Sequence, residues 1–456
     1  MATITGAVSH WFTELPQPRS ALPGDREADI CIVGAGYTGL WTAYYLKQAD
    51  PSLRITVLEQ CFAGYGASGR NGGWLSGLAP GHRGLLAKRY GRAPVVAWQQ
   101  ALNAAIDEVI AVAARENIDA DIVKGGNLEV ARNAAQARRL RAEVDEDREW
   151  GTDGIEVLTA AEAADRVRVD ALVLGAFNPH CARIQPAKLA RGLADVVERL
   201  GVTIYEQTPV TVISPGRAQT PMGAVRAPIV LRATEGFTPR MRGLRRRWLP
   251  MNSAMIATEP MADDIWARIG WEGRETVGDQ AHGFFYAQRT ADDRIAIGGR
   301  AVPYRYASGI DRDGAVGADT ISYLTRVLNT VLPQTRGVPI AHGWCGVLAV
   351  PRDWSAGVSL DPATGLGEAG GYVGHGVTAT NLAGRTLTDL VLKRSTPLTA
   401  LPWVGHHSRT WEPEPLRWLG VRGMYTAYKV ADRHEEGGRA TTSPIAVAAD
   451  AIARRP

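Results

Sequence analysis

Short apolar runs alternate with helical periodicity along this 456-residue chain, and the first such unit is the most informative. Ala28-Asp29-Ile30-Cys31-Ile32-Val33 is short and β-branched, the composition of a buried strand. Leu40, Ala43, Tyr44 and Leu46 then recur at helical spacing through about Gln48. Arg54-Ile55-Thr56-Val57-Leu58 predicts a second strand, ending in Glu59. Farther on, Val95, Trp98, Leu102, Ile106, Val109 and Ala113 step by three and four, which predicts an amphipathic helix from Pro94 to Asn117. Gly125 to Val130 predicts a short strand after a turn, and a charged helix follows from about Ala134 to Trp150, its polar face expected in solvent. Ile184-Gln185-Pro186 opens another helix, with Leu189, Leu193, Val197 and Leu200 on one face and Gly201 as its stop.

Strands predicted at Val202 to Glu206, Pro209 to Ile213 and Ile229 to Ala233 would re-enter the sheet that the first strand began. Between Asn252 and Arg300 the pattern is strand-rich, with Met255 to Thr258, Phe284 to Ala287 and Arg294 to Gly299. Together with a helix bearing Ile321, Leu324, Leu328 and Val331, this predicts a second domain on an antiparallel sheet. Thr378 caps or enters a late helix carrying Leu382, Leu387 and Val391, and the tail beyond His434 is expected to be poorly ordered. The residues before Ala28 show little periodicity and read as a leader that packs by Trp11 and Phe12.

Glycine placement adds chemistry to this pattern. Gly34-Ala35-Gly36-Tyr37-Thr38-Gly39 is G-x-G-x-x-G between a strand and a helix, and Glu59 follows at the tip of the next strand, the context of a dinucleotide fingerprint. Gly34 makes the turn, Gly36 admits a pyrophosphate, Gly39 lets helix and strand pack closely, and Glu59 would accept ribose hydroxyls, which argues against a 2′-phosphorylated nucleotide. The fingerprint alone suits NAD or FAD equally. A second loop, Gly64-Tyr65-Gly66-Ala67-Ser68-Gly69-Arg70-Asn71-Gly72-Gly73, and a third, Gly370 to Val377, imply a cofactor gripped along its whole length, which favours FAD.

Composition narrows the class. Hydrophobic residues at 45% and charged residues at 21% fit a soluble globular protein of two or three domains, and no apolar run approaches the roughly 20 residues of a membrane helix. The first residues carry no secretory pattern, so the cytoplasm is expected. Cys31, Cys61, Cys181 and Cys345 lack C-x-x-C spacing and suggest neither metal site nor disulfide framework. The net charge of +4 is mild, and the run Arg240, Arg242, Arg245, Arg246, Arg247 reads as a solvated face rather than a nucleic-acid grip.

With Glu59, the three glycine motifs, notably Gly66-Ala67-Ser68-Gly69-Arg70-Asn71-Gly72-Gly73 and Gly371-Tyr372-Val373-Gly374-His375-Gly376-Val377, resemble the D-amino-acid-oxidase-like family of FAD-dependent oxidoreductases, in its γ-glutamylputrescine and aminophosphonate oxidoreductase branch. The resemblance runs from about Ala28 to Trp411. It implies an α/β chain, α+β overall, with a Rossmann-like FAD-binding domain and an inserted mixed or antiparallel-sheet substrate domain. The expected divisions are a leader (1–27), FAD-binding segments (28–90, 181–250 and 341–411), a mainly helical and substrate-domain segment (91–180), a substrate domain (251–340) and a C-terminal helix and tail (412–456).

The resemblance assigns Gly34, Gly36, Gly39, Glu59 and Gln60 to the nucleotide half of the cofactor, and Ala67, Ser68, Arg70, Asn71, Gly72 and Gly73 to the pyrophosphate and isoalloxazine. Val210 would lie near the adenine, Thr234 under the cofactor, and Gly374, His375, Gly376 and Val377 near the flavin carbonyl edge. No histidine occupies Gly66 to Gly73, and Cys345 is one residue off the family's attachment position, so the FAD is expected to be non-covalent. The implied reaction is amine oxidation by hydride transfer to flavin N5, giving an imine that water hydrolyses, with O2 as acceptor. Trp74, Tyr286, Trp344 and His375 are the expected substrate-contacting residues, although core packing is the ordinary role of such aromatics. The alternatives are a dehydrogenase with a protein or quinone acceptor, a nucleic-acid-associated flavoprotein, and a flavin-binding assembly protein without turnover.

Overall fold

The computed structural model describes residues 3–299, 304–310 and 313–453. Ile30–Val33 (β1) is buried along its length, as four apolar side chains inside a parallel sheet require. It passes through Gly34 into the helix Tyr37–Ala49 (α1) and returns at Ile55–Leu58 (β2), which pairs with β1 in parallel register. The six-stranded sheet runs Thr203–Tyr205, β2, β1, Ile229–Arg232, Leu366–Gly370, Gly357–Asp361, and only the last strand is antiparallel. Its members come from widely separated stretches of sequence, so everything between them is insertion.

The N-terminal segment and the two longest insertions together form a nine-stranded mixed sheet. It contains Asn127–Ala131 (β3), Leu249–Thr258 (β4), Thr276–Asp279 (β5), Phe285–Arg289 (β6) and Ile295–Gly299 (β7). From one edge the order is Ile4–Thr5, Ile340–Val350, β4, β7, β6, β5, β3, Leu174–Asn178, Glu156–Thr159. Most neighbours are antiparallel; β5 beside β3 and Ile4–Thr5 beside Ile340–Val350 are the parallel pairs. One face packs on Ala318–Val331 through Leu324 and Leu328, and the other faces the six-stranded sheet's ligand end. The segment around Trp344-Cys345-Gly346 is the long strand Ile340–Val350.

Three expectations are corrected. Pro209 to Ile213 does not re-enter the main sheet: Val212–Ser214 begins a small separate sheet with Arg217–Thr220 and Gly223–Arg226, turned by Gly216 and Gly223 at positive φ. Thr378 lies inside Gly376–Val391 (α2), whose N-cap position is His375. The C-terminal region is ordered: Leu416–Glu436 (α3) and Pro444–Ala453 (α4) pack together through Tyr428, Ala431, Ala446 and Ala449. A small apolar stripe on each helix gives both something to bury, which a charge-rich tail conceals on inspection.

The leader is anchored. The Trp11 indole donates to the Asn71 carbonyl at 2.8 Å, and Phe12 stacks edge-on against Phe62 at 5.4 Å, so this segment backs the second glycine loop.

Candidate functional site

A cavity of about 1480 Å3 runs from the ends of β1 and β2 to the face of the nine-stranded sheet. It exceeds the roughly 300–1,000 Å3 usual for a compact ligand and suits an elongated one with a second molecule beside it. At its first end, Gly34 has φ +109°, and a Cβ there would lie 2.5 Å from the Ala233 carbonyl oxygen, so only glycine makes this turn. Gly39 does not line the cavity; a Cβ there would lie 2.0 Å from the Gly34 carbonyl oxygen, so its absence lets α1 pack this close to the turn. The Glu59 carboxylate accepts the Ala35 and Cys61 amides at 2.9 and 3.0 Å, which fixes it at the rim and leaves lone pairs for ribose hydroxyls.

Whether these residues fit FAD can be tested on the helix ends. Neither N-cap residue, Gly36 of α1 or His375 of α2, caps its own helix with its side chain, and both ends open into the cavity. A Cβ on Gly36 would meet only the Ser68 hydroxyl, at 3.0 Å, so the approach to α1 is open. Ser68 takes the Tyr37 amide at 2.8 Å and ties the second glycine loop to the first. Two positively polarised helix ends at one cavity match a ligand with a pyrophosphate and an electron-accepting ring. The residues fit.

The second end is built by sheet register. Residues opposite one another on neighbouring strands share a face, and one row reads Glu129, Gly278, Tyr286, Gly298, Met255, Trp344. Glycines on both sides of Tyr286 decide what that row can hold. Gly278 leaves room for the Glu129 carboxylate, whose Oε1 lies 2.6 Å from where a Cβ would stand. Gly298 lets the Tyr286 ring lie flat across it, and Gly72 touches the same ring. The Tyr286 hydroxyl is 2.7 Å from Ser253 Oγ, and Trp74 meets the ring edge-on at 6.2 Å. Trp74, Tyr286 and His375 all line the cavity.

Trp344 does not. It stands three strands beyond Tyr286 in the row, is fully buried between Trp11 and His342, and donates its indole N–H to the Arg70 carbonyl at 3.0 Å. Its place is behind the second glycine loop, holding it in position. Gly73 also sits off the cavity, with Gln288 where its Cβ would be, whereas Gln60, Ala67, Ser68, Arg70, Asn71 and Gly72 line it. So do Val210, Thr234 and the run Gly374, His375, Gly376, Val377. None of the four cysteines is disulfide-bonded, and Cys345 is buried in its strand with no place on the cavity wall.

Carboxyl groups are what the sequence pattern missed. The helix Ala134–Glu149, whose polar face was expected in solvent, turns Glu143 and Asp147 into the cavity opposite Glu129 and Asp279. Burial, reinforced by the Glu143 charge, pushes Glu129 up to about 8; burial beside Asp147 pushes Glu143 up to about 7, and burial likewise lifts Asp279 to about 7. Among the described residues none of these three forms an ion pair. Their close partners are the Asn127 amide at 3.0 Å, the Gln280 amide at 2.6 Å and the Phe285 backbone N–H at 3.1 Å. The arginines nearby are already engaged: Arg83 with Asp147 at 2.6 Å, Arg139 with Glu435 at 2.8 Å. Glu129 alternates with buried apolar neighbours along a strand, and a single charge in such a pattern is the only sequence signal for this end.

Glu235 is a further buried carboxyl the pattern gave no reason to single out. It accepts the Gly371 and Ala349 amides at 2.8 and 3.1 Å, tying the third glycine loop to the sheet, and burial pushes it up to about 7. The Arg240–Arg247 run is partly absorbed by the protein: Arg246 donates to the Trp411 carbonyl and Arg247 pairs with Glu368, while Arg240 and Arg242 line the cavity.

His282, Asp432 and Glu435 bring three potential metal-ligating atoms within 4.8 Å of one another, but each has protein work. Asp432 accepts the His282 and Gly283 amides, and Glu435 accepts from Arg139, the Ser443 amide at 2.9 Å and the His282 side. The network pins α3 to the cavity rim. Glu435→Gln is expected to lower stability by about 1–3 kcal/mol, read by thermal unfolding, with faster proteolysis after Glu436.

A family model described as "FAD dependent oxidoreductase" (DAO) matches residues 29–390. γ-Glutamylputrescine oxidoreductase of Escherichia coli is 32% identical over 372 residues, covering 80% of this chain and 83% of that protein. Among solved structures, L-proline dehydrogenase from P. horikoshii superposes with a TM-score of 0.68 at 18% identity, over 84% of this chain and 98% of its own. Glycine oxidase from Geobacillus kaustophilus gives 0.67 at 20% identity, over 81% and 96%. The two structures share the fold.

Proposed function

This chain belongs to the DAO family of FAD-dependent oxidoreductases, and from that premise we propose that it oxidises a polyamine derivative at a C–H bond next to nitrogen. The observation that carries the substrate class is the charge of the cavity's second end. Glu129, Glu143 and Asp279 are carboxyls without an ion-pair partner, whereas Arg83 and Arg139 are already neutralised. Burying a carboxylate unpaired is costly, and an ammonium group removes that cost. At that end Arg83 and Arg139 already have carboxylate partners, so a substrate carboxylate or phosphonate gains less there than an ammonium group does.

FAD, when bound, would supply the acceptor for the hydride, with O2 as the final electron acceptor in this reading. Gly34, Gly36 and the N-terminus of α1 would hold its pyrophosphate, Glu59 its ribose, and the N-terminus of α2 the ring edge that becomes electron-rich. Tyr286, fixed by Ser253, and Trp74 form a rigid wall that orients the substrate chain and excludes water. The nitrogen being oxidised must be neutral. A Glu129 carboxylate with its proton affinity raised to about 8 accepts the ammonium proton, while Glu143 and Asp279 hold a second ammonium group. Water then adds to the C=N product, releasing a carbonyl compound and an amine.

Anaerobic mixing of the FAD-loaded protein with polyamines, N-acylated diamines, amino acids and aminophosphonates tests this. Polyamines and their derivatives are expected to bleach the flavin fastest, and a panel in which none does so would overturn the reading. Hydrogen peroxide formed in step with amine consumption under air separates an oxidase from a dehydrogenase.

A further inference from the structure

The last two helices present an outward surface that the catalytic reading does not use. α4 contains one charged residue, Asp450, which accepts the Tyr428 hydroxyl of α3. Its buried side is Ala446 and Ala449, packed against α3. Pro444, Ile445, Val447, Ala448, Ala451 and Ile452 are all exposed, with Val447 at 57% and Ile452 at 70%, so the outward side of α4 is aliphatic throughout. Exposed apolar residues scattered singly are ordinary, but a helix that fills its whole outward side with them marks an interaction surface.

α4 folds back along α3, with Ser443 beside Glu435 and Asp450 beside Tyr428, so Ile452 arrives at the first turns of α3. There Leu416 and Leu419 are 61% and 54% exposed, and Leu416 and Ile452 line the same small chamber. The apolar surface therefore continues from one helix onto the other. Beyond Leu419 the outward stripe of α3 turns basic: Leu419, Arg422, Thr426, Lys429 and Arg433 recur at three- and four-residue steps, all exposed. Among the described residues none of these three cations forms an ion pair. Glu436 is the one exposed acid of α3, since Asp432 holds the His282 and Gly283 amides and Glu435 is buried against Arg139. Tyr306, itself exposed, meets Trp418 edge-on at 6.1 Å, and Arg422 lies over the Trp418 ring at 5.3 Å.

An aliphatic patch bordered by unpaired cations and amphipathic aromatic rings matches the headgroup boundary of an anionic bilayer. A second copy matches it poorly, because a two-fold pairing would set positive charge against positive charge. The apolar part, one side of a helix about 15 Å long with two added leucines, is also well below the roughly 800 Å2 per partner of a stable interface. No helix among the described residues is long and apolar enough to cross a membrane, so the surface suits lying on one. We infer that the outward side of α3 and α4 docks on an anionic lipid bilayer, its aliphatic side chains in the headgroup layer and Arg422, Lys429 and Arg433 on lipid phosphates. α4 also gives Asp450, and the turn before it Thr442, to the wall of the main cavity, so docking sets the cavity rim near the lipid surface.

Flotation of the FAD-loaded protein with vesicles tests this without turnover. Binding to phosphatidylcholine vesicles containing about one-third phosphatidylglycerol is expected to exceed binding to pure phosphatidylcholine by at least about 10-fold, and to fall steeply from about 50 to 300 mM salt. Lys429→Gln with Arg433→Gln should weaken binding about 25-fold, about 5-fold for each cation. Val447→Ser with Ile452→Ser should weaken it about 10-fold or more. Lys88→Gln with Arg89→Gln, an equal charge change on the exposed side of the helix Arg83–Tyr90, should leave it within about 2-fold. Every altered side chain is exposed, so thermal unfolding of all three variants should match the wild type. Equal binding to the two kinds of vesicle, binding to neither, or an equal loss from the Lys88 and Arg89 changes would overturn the inference. So would self-association without lipid that the Val447 and Ile452 changes abolish, because a second copy would then cover the face.

Discussion

Gly36→Val should yield a folded protein that purifies colourless. The Gly36 backbone is extended, at φ −85° and ψ −177°, a conformation valine adopts readily, and only the Ser68 hydroxyl stands near its Cβ position. The added methyl groups would fill the space over the N-terminus of α1, where a pyrophosphate must come close enough to take up backbone N–H groups. FAD affinity is expected to fall by at least about 100-fold, read as loss of flavin absorbance at about 450 nm, with the apoprotein melting near the wild-type apoprotein. Gly39→Ala is the contrasting variant. Its Cβ would sit 2.0 Å from the Gly34 carbonyl oxygen, a collision with backbone that no side-chain rotation relieves, so it should fail to fold rather than fail to bind. A colourless, unfolded Gly36→Val protein would show that the open space at α1 is structural.

The second large effect concerns Glu129. Removing its charge in Glu129→Gln is expected to lower kcat/KM for polyamines by roughly 10- to 150-fold, the range for a charge-assisted hydrogen bond of about 1.5–3 kcal/mol. The same variant has a signature in stability. In the folded protein Glu129 is raised to about 8, well above its unfolded value of 4.5, so folding takes up a proton. Its contribution to stability is complete below that unfolded value and is lost as pH rises through about 8. Glu143 and Asp279, raised to about 7, act in the same direction over a slightly lower window. The substrate-free wild-type protein should therefore melt at lower temperature at pH 8.5 than at pH 6, Glu129→Gln should show less of this slope, and a bound polyamine should restore stability most at the higher pH. A pH slope identical in wild type and variant would remove Glu129 from this role.

The nucleotide half of the site was legible because its chemistry is local. A strand, a glycine turn, a helix and an acidic strand tip fall within thirty residues, from Ile30 to Glu59, and each step has its own physical signal. The substrate half was not legible for the opposite reason. Glu129, Gly278, Tyr286 and Gly298 become neighbours only through strand pairing, and two of them matter for what they lack. Tyr286 and Trp344 looked alike as aromatics in strands, yet register puts one on the cavity wall and the other three strands along the row, under the anchored leader. The helix Ala134–Glu149 misled for a related reason: a polar face reads the same whether water or a buried cavity lies beyond it.

The interleaved order of the six-stranded sheet sets a timetable for synthesis. The fingerprint at Gly34 to Gly39 emerges early, but the strand Leu366–Gly370 that completes the parallel sheet, and α2 that supplies the second helix end, come more than three hundred residues later. Until the ribosome has passed α2 the nascent chain exposes the free edge of Ile229–Arg232, an adhesive edge in need of shelter. Cofactor loading is thus an event of chain completion, and products truncated before Gly376 should emerge without flavin and prone to aggregate, however intact their fingerprint.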